Sequence, residues 1–267
     1  MKKRLDVLLV ERGYFDSREK AKAVIMSGVV YAKGMKADKP GTSFDEDVAL
    51  EVRESGLRYV SRGGYKLEKA IEVFSIDLEG RVAMDIGAST GGFTDCMLQG
   101  GAIRVYAIDV GYGQLAWKLR TDPRVVNLER TNMRYVTDEQ VPEKLDFFSA
   151  DVAFISLKLI LPPARALCAD GARAVCLIKP QFEAGREHVG KNGVVRDRAV
   201  HADVVEGIIS FCLNEGFSVL GLDYSPIKGP QGNIEYLLYI EKSDAPENRL
   251  TVSPDEVVDR SHAALDR

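Results

Sequence analysis

Apolar positions first recur at helical spacing. Leu5, Leu8 and Leu9 share one stripe within residues 4–11. After a turn at Gly13-Tyr14-Phe15, Ala21, Val24 and Ile25 share another, with Arg18, Lys20 and Lys22 on the polar side. Asp16 or Ser17 is placed to cap this second helix and Gly28 to stop it. Short strands are predicted at 29–32 and 48–52, around a Lys33-Gly34 turn and a polar stretch at 40–47. From residue 65 onward helical and strand patterns alternate. Helices are predicted at 65–74, from 93, at 114–120, 162–169 and 199–214. Strands are predicted at 82–84, 104–109, 125–128, 146–150, 174–178, 217–222 and 234–240. Helices between successive strands imply an α/β fold: a Rossmann-like, doubly wound, mainly parallel seven-stranded sheet that gathers ligands at the strands' carboxyl ends. The pattern divides the chain into a small α+β domain at 1–53, a linker at 54–59, the sheet domain at 60–244 and a C-terminal tail at 245–267 that is either loosely held or a helix.

With 267 residues, 45% hydrophobic and 28% charged, the chain has the composition of a globular protein that buries one sizeable core and a small module. No run approaches the roughly 18 apolar residues of a membrane span, and the start has no signal-peptide core, so a cytoplasmic location is expected. Cys96, Cys168, Cys176 and Cys212 are widely spaced in apolar surroundings, which predicts free thiols rather than a metal site. His188, His201 and His262 lack metal-ligand spacing, and neither a Gly-x-Ser-x-Gly elbow nor a P-loop is present. Charge is unevenly placed. Residues 1–40 carry ten Lys/Arg and five Asp/Glu, a net +5, so the net −4 of the whole chain leaves −9 on 41–267. A nucleic-acid-reading module joined to an enzyme has that asymmetry, and so does a solvated helix face.

The stretch 84–93, MDIGASTGGF, reads as a strand, a glycine turn and a helix start, a cradle in which backbone N–H groups face a ligand. Asp109 closes the next strand 24 positions after Asp85, near the ~20-residue spacing of a ribose-binding acid. A dinucleotide fingerprint needs glycine where Ser89 stands. A cofactor with a ribose and an amino-acid group but no pyrophosphate fits better, which points to S-adenosyl-L-methionine. Candidate contacts are Asp85, Gly87, Ser89, Gly91, Gly92, Phe93 and Asp109. A tight turn with no ligand is the plainer alternative.

Lys66, Asp151, Lys179 and Glu235 interrupt apolar or structural contexts, and Lys and Glu are almost never fully buried unpaired. Asp151 and Lys179 end neighbouring strands, and Lys66 and Glu235 complete a ring of alternating charge. Such a ring suits methyl transfer to a ribose hydroxyl, with Lys179 as base or oxyanion stabiliser, Lys66 positioning the hydroxyl or tuning Lys179, and the carboxylates orienting both lysines. A salt-bridged strand-end network without catalysis has the same appearance.

Two resemblances bear on these residues. RLDVLL followed by SREKAKAVIMSGVVYAKG resembles the S-four-like RNA-binding domain, which implies Arg18, Lys22 and Lys33 as phosphate contacts. Residues 60–240 resemble the FtsJ-like ribose methyltransferases, whose site is a Lys-Asp-Lys-Glu tetrad in that chain order. VSRGGYKL, SADVAFISL, LIKPQFE and GNIEYLLY carry those positions onto Lys66, Asp151, Lys179 and Glu235. The same resemblance implies that Asn132 and Met133 neighbour the cofactor's adenine. Together the two parts resemble the TlyA family, often labelled hemolysins, which implies methylation of a cytidine ribose in ribosomal RNA, free or within ribosomal subunits. A non-catalytic RNA-binding protein and a membrane-active hemolysin are the competing function classes.

Overall fold

The computed structural model describes residues 2–15, 17–26, 28–52 and 58–266, so Asp16 and most of the expected linker lie outside the described residues. The chain divides into two compact units, Met1–Ser61 and Arg62–Arg267.

The smaller unit runs β1 (Lys2–Arg4), α1 (Leu5–Glu11), α2 (Arg18–Met26), β2 (Val30–Ala32), β3 (Met35–Lys36), β4 (Ser43–Asp45) and β5 (Leu50–Val52). Leu5, Leu8, Leu9, Ala21 and Ile25 from the two helices pack on Val30, Ala32 and Val48. β2 pairs antiparallel with β3 and β5, while β1 pairs antiparallel with β4. Hydrophobic alternation cannot reveal β1 or β3: Lys-Lys-Arg has no apolar position, and Met-Lys is too short to alternate.

The larger unit contains α3 (Gly64–Phe74), β6 (Val82–Ile86), α4 (Gly92–Gln99), β7 (Arg104–Ile108), α5 (Trp117–Arg120), β8 (Val125–Leu128), β9 (Leu145–Ala150), α6 (Leu161–Leu167), β10 (Cys168–Ile178), α7 (Pro180–Glu183), α8 (Arg198–Asn214), β11 (Phe217–Tyr224), β12 (Tyr236–Lys242) and α9 (Pro254–Leu265). Its seven strands lie in the order β11-β12-β10-β9-β6-β7-β8, and β12 alone runs against its neighbours. This is the doubly wound, mainly parallel sheet of a Rossmann-like domain. Strands covered on both faces read as nearly continuous apolar runs, as in VAMDI and RVYAI. Met84, Ile86, Phe148, Cys176 and Ile178 enter one core with side chains of α6, α8 and α9.

Several boundaries differ from expectation, and three of them bear on how the site is held. Residues 245–267, expected as a loosely held tail or helix, include α9, which is held firmly on α8 and β11 through buried Val257 and Val258. β10 starts at Cys168, with a register shift before Arg173, so its pairing outruns the apolar stretch that announces it. β12 starts at Tyr236, so Glu235 precedes the strand instead of lying within it. Because β12 is antiparallel, its first residues fall where β10, β9, β6 and β7 end. Glu235, Lys179, Asp151, Gly87 and Asp109 therefore follow one another along a single edge of the sheet.

Candidate active site

Lys179 and Asp151 are the first residues past β10 and β9, where the chain leaves an apolar strand and a charged group reaches the sheet's edge. Lys179 Nζ donates to Asp151 Oδ1 at 2.5 Å. Lys66, in the first turn of α3, donates to Asp151 Oδ2 at 3.3 Å and to Glu235 Oε2 at 2.6 Å. The four groups form a chain of alternating charge: Glu235, Lys66, Asp151, Lys179. Lys66 is 7%, Lys179 9% and Glu235 1% exposed, so these are desolvated ion pairs. Burial presses the Lys66 ammonium down, but the Asp151 and Glu235 carboxylates outweigh it and hold its pKa above the ordinary value. For Asp151, burial pushes up while Lys179 and Lys66 pull down more strongly, leaving the carboxyl below its usual range. Lys66 has two carboxylates and Lys179 one, so Lys66 is the cation held in place and Lys179 the amine with bonding capacity to spare.

The glycine turn abuts this network. A Cβ on Gly87, whose φ is +84°, would lie 2.5 Å from the Asp151 carbonyl oxygen. One on Gly91, φ +94°, would strike Leu119 Cδ1 at 2.3 Å. Ser89 takes φ +49°, and its N–H donates to Asp109 Oδ2 at 2.8 Å. The other oxygen of Asp109 accepts from Gly111 N at 2.6 Å. Asp109 thus clamps the turn to the end of β7 and, with lone pairs to spare, is placed to accept ribose hydroxyls.

Asp85 has a different role from its neighbours. Its carboxylate is buried inside β6 and accepts from Thr94 N at 2.8 Å, Thr94 Oγ1 at 2.7 Å and Ser149 Oγ at 3.1 Å. It ties α4 to the sheet, and burial lifts its pKa to about 6. Gly92 and Phe93 form the first turn of α4, where helix N–H groups have no intrahelical acceptor. Asn132 Oδ1 caps the short 3-10 turn Met133–Tyr135, and Met133 is 3% exposed within the main core. In the smaller unit, Arg18 and Arg4 both pair with the fully buried Asp6, while Lys22 is half-buried and Lys33 is exposed at φ +53°.

Two aromatic residues near the tetrad escape sequence reasoning. Phe154, three residues after Asp151, is 89% exposed and holds φ +62°, a conformation a bulky side chain seldom adopts. Its ring lies 5.1 Å from that of Phe182, three residues after Lys179. Glu183 binds the two loops together, accepting from Ser156 Oγ at 2.6 Å and Leu157 N at 2.7 Å. The available signal is an aromatic at the same offset behind each of two strand-end residues.

The arrangement is a glycine-turn cradle beside a buried ring of lysines and carboxylates. The profile of the FtsJ-like methyltransferases matches residues 59–242. The chain belongs to this family. Within it, this FtsJ-like methyltransferase is 45% identical over 238 residues to the 16S/23S rRNA (cytidine-2′-O)-methyltransferase TlyA of Mycobacterium tuberculosis, covering 89% of each chain. It is 52% identical over 272 residues to YqxC of Bacillus subtilis, provisionally named an rRNA methyltransferase, covering 99% of this chain and 95% of that one. A solved structure from Streptococcus thermophilus, provisionally named a hemolysin, superposes with TM-score 0.79 at 49% identity, covering 99% of this chain and 97% of that one. The chain is a TlyA-type member of the family, as the two motif sets imply. Among the described residues no helix is long and apolar enough to cross a membrane, and no His/Cys/Asp/Glu cluster is placed to hold a metal ion.

Proposed function

We propose that this chain is an S-adenosyl-L-methionine-dependent 2′-O-ribose methyltransferase that modifies a cytidine in ribosomal RNA, presented free or in ribosomal subunits, in the cytoplasm. The observation that carries the proposal is the Asp151 carboxylate bridging Lys66 and Lys179 one backbone contact from Gly87.

The residues present fit the cofactor. Asp109 offers acceptors for ribose hydroxyls, and the Gly92 and Phe93 N–H groups at the α4 N-terminus suit the carboxylate of its amino-acid group. Asn132 and Met133 border the adenine position, Asn132 through its partly exposed amide and Met133 through the packed wall behind it. When bound, the cofactor supplies a methyl group on a sulfonium sulfur. The sugar hydroxyl is a poor nucleophile and must lose its proton as it attacks. Lys179 faces that hydroxyl as the group that takes its proton or steadies the oxyanion, Asp151 holds Lys179 toward it, and Lys66 fixes Asp151 from behind with Glu235 as its second anchor. A base of this kind contributes about 10²–10⁴-fold. Phe154 and Phe182 offer the target base a stacking surface at the mouth of the site. In the smaller unit, Arg18, Lys22 and Lys33 supply positive charge for the RNA backbone.

Lys179→Met tests this assignment, with transfer of labelled methyl to ribosomal subunits from a strain lacking the enzyme as readout. Transfer is expected to fall by about 10²-fold or more, while calorimetry shows cofactor binding retained. Transfer at the parent rate by Lys179→Met would remove Lys179 from the chemistry, and failure of the parent protein to bind the cofactor would favour a non-catalytic RNA-binding protein.

A further inference from the structure

The helix α3 carries Lys66 to the tetrad, yet its first turn has little local support. Gly63, which precedes it, has no side chain with which to cap it, and Gly64-Tyr65-Lys66-Leu67 holds no acidic residue. The helix dipole opposes a cation at this end, so contacts with the rest of the fold must keep Lys66 in place. Two such contacts lie further along the helix and have no part in the chemistry above. Phe74 seats the far end, stacking on Tyr239 of β12 at 5.3 Å beside Gly221 of β11, where a Cβ would meet the ring at 2.6 Å. Lys69, three residues after Lys66 and so its neighbour on the helix surface, holds the middle. Its Nζ donates to the Tyr224 carbonyl at 2.6 Å, pairs with Asp223 Oδ2 at 3.2 Å and lies 3.7 Å from the centre of the Tyr224 ring.

The peptide unit between Tyr224 and Ser225 ties Lys69 to the tetrad. Its carbonyl accepts from Lys69, and its N–H donates to the Glu235 carbonyl at 2.8 Å. Lys66 donates to the carboxylate of the same Glu235 at 2.6 Å. Two neighbouring lysines of α3 thus reach one residue, Lys66 through its side chain and Lys69 through its backbone, which closes a circuit between the helix and the paired ends of β11 and β12. The anchor under Lys69 is itself fixed. Asp223 is buried, and its Oδ1 accepts from Tyr224 N at 2.8 Å and faces Arg260 of α9 at 3.5 Å. Burial presses the Lys69 ammonium below its ordinary pKa against the pull of Asp223, so this cation has little water and depends on these partners.

The circuit has one sensitive point. Lys66 reaches Asp151 at 3.3 Å, just past the ordinary N–H···O range, whereas its bond to Glu235 is short. Withdrawal of α3 by roughly half an ångström therefore breaks the bond to Asp151 first and leaves that carboxylate to Lys179 alone. We infer that Lys69 is a positioning residue for methyl transfer: its clamp on the end of β11 sets the depth at which the Lys66 ammonium reaches Glu235 and Asp151 together. The inference rests on the methyltransferase function proposed above.

The test uses the full chain with Lys69→Met, Lys69→Arg and Asp223→Asn. Methyl transfer to undermodified ribosomal subunits gives kcat and KM. The Lys66 ammonium resonance, assigned by its absence in Lys66→Met, gives hydrogen exchange at that group with no substrate present. Lys69→Met is expected to lower kcat about 10- to 100-fold, as a small misplacement of a reacting group does, with the KM for subunits unchanged. Exchange at Lys66 is expected to become about tenfold faster. Lys69→Arg should restore most of kcat, because a guanidinium can donate to the carbonyl and the carboxylate together. Asp223→Asn keeps the bond to Tyr224 N and should give a smaller fall in the same direction, so it carries the test if Lys69→Met does not fold. Parent kcat in Lys69→Met and Asp223→Asn overturns the inference. A raised KM at parent kcat also overturns it, by moving Lys69 to substrate binding, and so does a lowered kcat with Lys66 exchange unchanged, by showing that Lys69 acts through another group. Absent methylation by the parent protein, with Lys66 exchange still responding to Lys69→Met, sinks the proposed function and leaves the hold of Lys69 on Lys66 standing.

Discussion

The Lys66–Glu235 contact admits a quantitative test. The two groups meet at 2.6 Å with 7% and 1% exposure, so neither charge has water to fall back on. Lys66→Met leaves Asp151 with Lys179 at 2.5 Å but strands Glu235, at a cost of about 3–5 kcal/mol for a buried charge deprived of its partner. Glu235→Gln is milder, because Lys66 keeps Asp151 and the amide keeps the shape: about 1–2 kcal/mol for one weakened charged hydrogen bond. In the double variant no charge is stranded at Glu235, so its total cost falls below that of Lys66→Met alone. The interaction term is then about 2 kcal/mol, well beyond the ~0.5 kcal/mol of independent sites. Denaturant unfolding followed by fluorescence reads this directly, because the single tryptophan, Trp117, lies in the larger unit. The decisive sign is that Glu235→Gln destabilises the parent protein and stabilises Lys66→Met. Equal costs in both backgrounds would show that the two residues do not act as a pair. The raised pKa of Lys66 makes its contribution full below the unfolded-state value near 10.4 and lost as pH rises through the folded one. The lowered pKa of Asp151 makes its contribution full above about 3.9 and lost as pH falls through its folded value. Measured between pH 6 and 9, the cycle sees the charged network on both counts.

Two further outcomes are expected. Phe154→Ala removes an 89% exposed ring, so unfolding free energy should move by no more than about 0.5 kcal/mol. The same change should lower kcat/KM for ribosomal subunits about 5- to 150-fold, the worth of one base–aromatic stack; a parent-like kcat/KM would remove the ring from substrate binding. Asp85, with its pKa raised from 3.8 to about 6, stabilises the fold most below pH 4 and loses that contribution as pH rises to about 6. Asp85→Asn, its oxygen toward Thr94 and its amide toward Ser149, should flatten the pH 4–7 stability profile; a slope equal to the parent's would assign the titration to another group.

The sheet is legible because burial on both faces forces strands such as VAMDI and LDFFSA into apolar runs that few other elements imitate. The same logic exposes Asp151 and Lys179, since a charged residue ending such a run has only the sheet's ligand-facing edge to occupy. Glu235 stands out as a polar interruption, but its position depends on the one strand that reverses direction, and strand direction leaves no mark on periodicity. Asp85 shows the opposite limit. It looks like a ligand-facing acid because it precedes the glycine turn, yet strand alternation turns its carboxylate toward Thr94 and Ser149, residues 9 and 64 positions away. Charge patterning is likewise incomplete in the smaller unit, where Arg18, on a basic helix face in the sequence, also pairs with the buried Asp6 while its own side chain stays half exposed. Phe154 is illegible for a different reason. An aromatic after an apolar strand resembles more core, and only a backbone at φ +62° with the ring held outward separates the two cases. Such strain persists where the surrounding structure enforces it, and here Glu183 supplies that enforcement by anchoring Ser156 and Leu157 on the same loop. Local pattern therefore identifies which residues reach the edge of the sheet, whereas long-range partners decide which of them meet a ligand and which hold the edge together.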